Sequence, residues 1–143
     1  MKYQNLIEVT LNSTDIIHRH ERQDEYYYYN EKSLYPYFAS HMKDKLAIYR
    51  PTDREVRLTK NYMCPTLTAN MGTFPDRVPI VWDDYGIRKL TIRECLDFQG
   101  FPQEYCFPNS ITIEDAYKQI GNSVCVPVIR RIAEQISNVL REK

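Results

Sequence analysis

Apolar and polar positions alternate over short stretches in the first ninety residues and then settle into a helical spacing. Leu6–Leu11 (LIEVTL) partly alternates and is β-branched, which predicts a strand. The run Tyr26-Tyr27-Tyr28-Tyr29 predicts another, because aromatic residues favour a pleated, half-buried surface. Shorter strands are expected over Ala47–Tyr49 and Val56–Leu58, on either side of Pro51, and over Cys64–Ala69. Arg77–Trp82 and Ile87–Leu90 flank Asp83-Asp84-Tyr85-Gly86, the pattern of a hairpin. Beyond residue 90 the signals are helical. Thr91-Ile92-Arg93-Glu94 is a capping box, with Thr91 as the cap, and Gly100 and Pro102 end that helix. Thr112-Ile113-Glu114-Asp115 starts a second helix, which Gly121 closes. A third runs from about Val126 to Arg141. Val124 ahead of it and Val128, Ile132, Ile136 and Leu140 within it recur every fourth residue, and Ile129 and Ala133 widen the stripe. The pattern is α+β, with a β-rich first part and helices after it.

Composition narrows the class. The chain has 143 residues, 43% hydrophobic and 27% charged, as in one soluble globular domain. Nothing in it approaches a membrane span or a signal peptide, so a cytoplasmic location is expected. Nineteen basic and nineteen acidic residues cancel, so overall charge lends no support to nucleic-acid binding. One stretch is locally basic: residues 42–60 hold Lys43, Lys45, Arg50, Arg54, Arg57 and Lys60 against three acids. Such a stretch is ordinarily a solvated face; in a DNA-recognition domain it gains weight as a phosphate-contact region. The cysteines (Cys64, Cys95, Cys106 and Cys125) form no CxxC pair, and no Cys/His cluster has zinc spacing. They read as reduced packing thiols, and no metal site is expected. His18 and His20 sit in a polar stretch and read as surface residues.

Three strings carry more information than their local signals. Arg88-Lys89-Leu90-Thr91-Ile92-Arg93-Glu94-Cys95-Leu96-Asp97-Phe98-Gln99-Gly100-Phe101-Pro102 would pass as a well-capped surface helix. Over its full length it resembles the ninth conserved motif of the bacterial DNA (cytosine-5) methyltransferases. The resemblance implies a structural role, with Arg88, Thr91, Arg93 and Glu94 as its polar framework. Ala116-Tyr117-Lys118-Gln119-Ile120-Gly121-Asn122-Ser123-Val124-Cys125-Val126-Pro127-Val128 is, on its own, a Gly-Asn-Ser loop before a helix. It resembles the tenth motif of the same family, which folds back on the catalytic domain and lines the S-adenosylmethionine pocket; that assigns the cofactor contact to Asn122, Ser123 and Val124. Tyr62-Met63-Cys64-Pro65-Thr66-Leu67-Thr68-Ala69-Asn70-Met71-Gly72 resembles the Thr-Leu element late in the family's recognition domains. Thr66 and Leu67 fall on that dipeptide and are expected near the DNA, with Arg50, Arg54, Arg57 and Lys60 as further DNA contacts.

The resemblance implies a division at residue 111. Residues 1–111 form a target-recognition domain that includes the ninth motif. Residues 112–143 hold the tenth motif and an amphipathic helix that docks on a separate, Rossmann-like catalytic domain. The family's nucleophilic Pro-Cys does not occur here, since Cys64-Pro65 is the reverse order; the Glu-Asn-Val motif and the Gly-rich cofactor loop are also absent. No catalytic residue is therefore assigned. The chain reads as the recognition and cofactor-pocket-completing part of a restriction-modification methyltransferase, inactive alone, either as the small subunit of a split enzyme or as a C-terminal fragment. The expected partners are double-stranded DNA and the catalytic subunit or domain. The holoenzyme would flip a cytosine from the duplex, and a partner Cys would add to carbon 6 so that carbon 5 attacks the cofactor's methyl group. The alternative is a stand-alone, non-catalytic DNA-binding module. The last helix separates the two, because a free-standing domain should bury the Val124–Leu140 stripe on itself. A relative acting on transfer RNA is a third, weaker reading, opposed by the Gln119–Val128 string.

Overall fold

The computed structural model describes residues 13–52, 54–59 and 62–141. The strand expected over Leu6–Leu11 and the side chain of Lys60 lie outside the described residues. The helices are α1 (Ser13–Ile16), α2 (Tyr35–His41), α3 (Asn70–Thr73), α4 (Ile92–Phe98), α5 (Ile113–Asn122) and α6 (Val126–Arg141). The strands are β1 (Tyr49–Pro51), β2 (Val56–Leu58), β3 (Ile80–Asp83) and β4 (Gly86–Lys89). They form one antiparallel sheet in the order β2-β1-β3-β4.

The fold is α+β, but its strands are only three or four residues long. Four expected strands change. The one placed over Ala47–Tyr49 starts only at Tyr49 and runs through Pro51. Tyr26–Tyr29 does not extend: Glu25–Tyr27 is a 3-10 turn capped by Asp24, and Tyr28 alone bridges to Arg88. Cys64–Ala69 joins no ladder and leads into α3. Arg77 closes a second 3-10 turn, so β3 begins only at Ile80. The hairpin does form, with Asp83 opposite Gly86 and Asp84-Tyr85 between them. Gly86 has φ +146°, and the Asn30 side chain fills the space where a Cβ would project.

Successive strand residues face opposite ways, and here both faces are covered. On one side Tyr49, Ile80 and Ile87 pack with Tyr29, Phe38 and Met42, so α2 covers that face. On the other, Ile48, Val78, Val81 and Leu90 pack with Leu67, Met71, Leu96, Tyr117 and Ile120 from the 62–73 segment, α4 and α5. Tyr117 is fully buried there and donates its hydroxyl to Leu90 O at 2.5 Å.

Both sequence-marked helix starts form. At α4 the Thr91 hydroxyl accepts from Glu94 N (3.2 Å), while Glu94 Oε2 accepts from Thr91 N (2.8 Å). At α5 Thr112 accepts from Asp115 N (3.1 Å). The last helix is α6, whose bounds match the periodicity. It buries none of its residues. Its start is pinned to the end of α4: Val126 N donates to Gln99 O at 2.8 Å, and Pro127 packs on Gly100, whose φ is +73°. The stripe itself stays in solvent, from 45% exposed at Ile129 to 68% at Leu140.

Candidate functional site

The Thr-Leu segment and the end of α5 meet backbone to backbone. A Cβ on Gly121 would overlap the Thr68–Ala69 peptide. A Cβ on Gly72, in α3, would overlap Glu114 O and stand 2.7 Å from Lys118 Cβ. Two glycines thus let α3 and the peptide before it lie flat along α5, closer than any side chain would permit. Thr66 and Leu67 sit just before this contact, with Leu67 buried in the core and Thr66 exposed. Asn122, Ser123 and Val124 emerge just after it. The expected loop at Gly121-Asn122 is instead the last turn of α5, and the chain breaks at Ser123, whose N–H and hydroxyl both donate to Ile120 O (3.0 and 2.6 Å). Asn122 and Val124 are exposed, and among the described residues no hydrogen bond engages the Asn122 amide.

A fully buried ion network lies between β4 and α4. Arg88 is 0% exposed and uses every donor it has. Nε donates to Asp83 Oδ2 (2.7 Å). Nη1 reaches Glu94 Oε2 (2.7 Å) and Lys89 O, and Nη2 reaches Glu94 Oε1 (2.8 Å) and His18 O. Glu94 accepts in turn from Thr91 N and His18 N, at 2.8 and 2.9 Å. Burial opposes both charges. For Arg88 the Glu94 and Asp83 carboxylates outweigh it and hold the guanidinium's pKa above its usual value. For Glu94 the guanidinium and two backbone N–H groups outweigh it and hold the carboxyl below its usual range. The network joins the segment after α1, the β3–β4 hairpin and α4 into one unit. Arg93 works at the surface: it pairs with Asp97 (2.8 Å) and donates to Tyr105 O (2.9 Å), which fixes the loop after α4.

The basic stretch becomes the β1–β2 hairpin. Arg50 on β1 stands directly opposite Arg57 on β2, and Arg54 lies in the connecting turn. Arg57 pairs with Glu55 at 2.5 Å. The four thiols are free. Burial pushes Cys64 up to about 12 and Cys95 well above its ordinary value, so both stay protonated near neutrality and neither is a ready nucleophile.

The family profile of C-5 cytosine-specific DNA methylases matches residues 2–138. The chain belongs to this family. It is similar to the Type II methyltransferase M.Bsp6I of Bacillus sp. (strain RFL6), at 46% identity over 130 residues. That alignment takes in 90% of this chain but 41% of the relative. Shorter similarities reach 52% over 56 residues with M.MspI of Moraxella sp (39% of this chain, 13% of that protein) and 55% over 53 residues with M.SsoII of Shigella sonnei (37% and 14%). The chain therefore spans about two-fifths of the methylase it matches at greatest length here. No solved structure gives a significant match.

Some partners of the methylase motifs had no local signal. Asp83, expected only as a turn residue, ties Arg88 to Tyr28, whose hydroxyl donates to Asp83 Oδ2 at 2.8 Å. The His18 backbone reaches Glu94 across 76 positions. Arg19 joins its own segment to β3 and the 45–46 loop by donating to the Trp82, Lys45 and Leu46 carbonyls. Gly72 and Gly121 were legible as glycines, but not as contact points between two motifs.

Proposed function

We propose that this chain is the target-recognition and cofactor-pocket-completing part of a DNA cytosine-5 methyltransferase of a restriction-modification system. The observation that carries the reading is the bare stripe of α6. Val128, Ile129, Ile132, Ile136 and Leu140 form an apolar face that the chain leaves 45–68% exposed. A stand-alone DNA-binding module would bury that face on itself, since each such side chain is worth about 1.5–3 kcal/mol when covered. The occupant is the catalytic part of the enzyme, a separate polypeptide or the rest of a longer one, which brings the Pro-Cys nucleophile and the Gly-rich loop. Residues 1–111 read the target and residues 112–143 serve the catalytic side, with α5 rooted in the common core and α6 reaching out. Double-stranded DNA is the substrate, and the cytoplasm is where the enzyme meets it.

The residues at the end of α5 suit the cofactor. The unengaged Asn122 amide is able both to donate to a carboxylate and to accept from an ammonium group, the Ser123 oxygen keeps an accepting lone pair, and Val124 offers an exposed apolar surface. S-adenosylmethionine supplies the methyl group when bound. Asn122 and Ser123 would hold its polar groups, and Thr66 and Leu67 would approach the DNA at the other side of the Gly121 contact. Arg50, Arg54 and Arg57 would steady the duplex through its phosphates.

The test is assembly. Alone, the pure chain should incorporate no labelled methyl into DNA. Ile132→Asp should abolish co-purification with the polypeptide carrying the Pro-Cys motif, while circular dichroism of the variant alone stays that of the parent, because Ile132 is 51% exposed. Methyl transfer by the chain alone, or normal assembly of the variant, would refute the reading.

A further inference from the structure

One small polar pocket lies on the α3 side of the sheet, beside the Thr-Leu segment. Arg50, Pro51 and Thr52 of the β1 end line it, with Thr68, Asn70 at the start of α3, and Arg77 at the end of the second 3-10 turn. Three separate pieces of chain thus converge on a volume of about 120 Å³. At roughly 30 Å³ per water, that is room for about four waters, enough for the oxygens of a tetrahedral anion. No carboxylate among the described residues lines it.

The charge placement calls for an anion. Arg50 and Arg57 are a directly opposed cross-strand pair and share one face of the hairpin. Like charges so placed repel. Glu55 offsets Arg57, through the 2.5 Å contact to its Nε. Arg50 points to the side where Thr68 and Asn70 wait, two and four residues beyond Thr66. The Arg77 guanidinium lies over the Phe74 ring at 4.5 Å, which fixes its plane. A planar guanidinium, a threonine hydroxyl and a side-chain amide are the groups that hold phosphate oxygens.

We propose that the pocket of Arg50, Thr68, Asn70 and Arg77 seats one phosphodiester group of the DNA backbone, next to the nucleotide that Thr66 and Leu67 approach. The assignment rests on the DNA-recognition reading above and adds Thr68, Asn70 and Arg77 to it. The seat fixes the position of the strand and carries no sequence preference of its own. Because Thr68 also abuts Gly121, it ties the strand's position to the end of α5.

The experiment has two arms on the full chain. In the first, inorganic phosphate is titrated while the Asn70 side-chain amide is followed by NMR. A saturable shift, lost in Arg50→Gln, is expected. In the second, anisotropy of a labelled random-sequence duplex is measured over a range of salt. Arg50→Gln and Arg77→Gln should each flatten the plot of log affinity against log salt by about 0.9, so the loss of affinity between roughly 50 and 200 mM shrinks about three- to fourfold. Arg22→Gln, a remote surface pair with Glu25, should change nothing. Asn70→Ser, which keeps the fold and a smaller polar group, should weaken phosphate binding without changing the slope. Absence of any phosphate shift at Asn70 overturns the proposal. An unchanged slope with duplex binding intact also overturns it and leaves the DNA reading standing. Phosphate binding without any duplex binding reduces the pocket to a seat for free anions and counts against the DNA reading itself.

Discussion

Replacing Glu94 by glutamine changes one atom of the side chain, yet it strikes a buried carboxylate that accepts four hydrogen bonds. Both oxygens of Glu94 are committed: Oε2 to Arg88 Nη1 and Thr91 N, Oε1 to Arg88 Nη2 and His18 N. An amide must put an NH2 in one of these places, where it meets two donors and no acceptor. Arg88 keeps only Asp83 as a counter-charge, in a site with no access to water. Removing one partner of a buried ion pair costs about 3–5 kcal/mol, because the other charge stays buried. With Asp83 retained, the lower end applies, about 3 kcal/mol, a large share of the roughly 5–15 kcal/mol that holds a domain folded. The assay is urea unfolding of the full chain. At a slope of about 2 kcal/mol per molar, the midpoint should fall by about 1.5 M. The pH profile carries a second signature. Glu94 is held below its ordinary value of 4.5 in the fold, so its contribution is complete above that pH and is lost as pH falls towards the folded pKa. Glu94→Gln should lack that part of the acid decline. The double variant Arg88→Met, Glu94→Leu should cost less than the two single changes added together, since no buried charge is stranded on that side. A midpoint shift below about 0.5 M urea, equivalent to roughly 1 kcal/mol, would show that the network is not buried as described.

Gly121→Ala sets helix propensity, which favours alanine, against the overlap with the Thr68–Ala69 peptide; overpacking should win, with a net loss of about 1–3 kcal/mol in thermal unfolding. Asn122→Ala should weaken cofactor binding in the assembled enzyme by about 1 kcal/mol in calorimetry, with the target sequence unchanged. Lys89 is buried over the Tyr26 ring (4.3 Å), and burial, reinforced by Lys32, lowers it to about 8. The unfolded chain therefore binds the extra proton above pH 8, so stability should rise from about pH 8 towards 10. Lys89→Met should flatten that rise in urea unfolding measured across this range.

The features that the sequence by itself determined are those made by neighbours in the chain. The Thr91 capping box, the Thr112 cap and the Asp83–Gly86 hairpin are closed by hydrogen bonds three residues apart, so the residue types and their spacing were enough. The α6 stripe was legible for the same reason, and the motif strings placed the chain in its family before any geometry was known. Tertiary structure decided the rest. Four tyrosines in a row look like a strand, but their hydroxyls find distant acceptors: Tyr26 on Glu114, Tyr28 on Asp83 and Tyr29 on Asp76. These contacts, 88, 55 and 47 positions away, draw the segment into a turn. Cys64–Ala69 has strand-like residues, but its end lies against Gly121 of α5 and it joins no ladder. Gly121 looked like a helix stop and is instead a helix residue kept small by the peptide on top of it. The anion pocket needed Arg50, Asn70 and Arg77 to arrive from different elements. No periodicity encodes such meetings, because they depend on where the chain returns to itself and not on what stands three or four residues away.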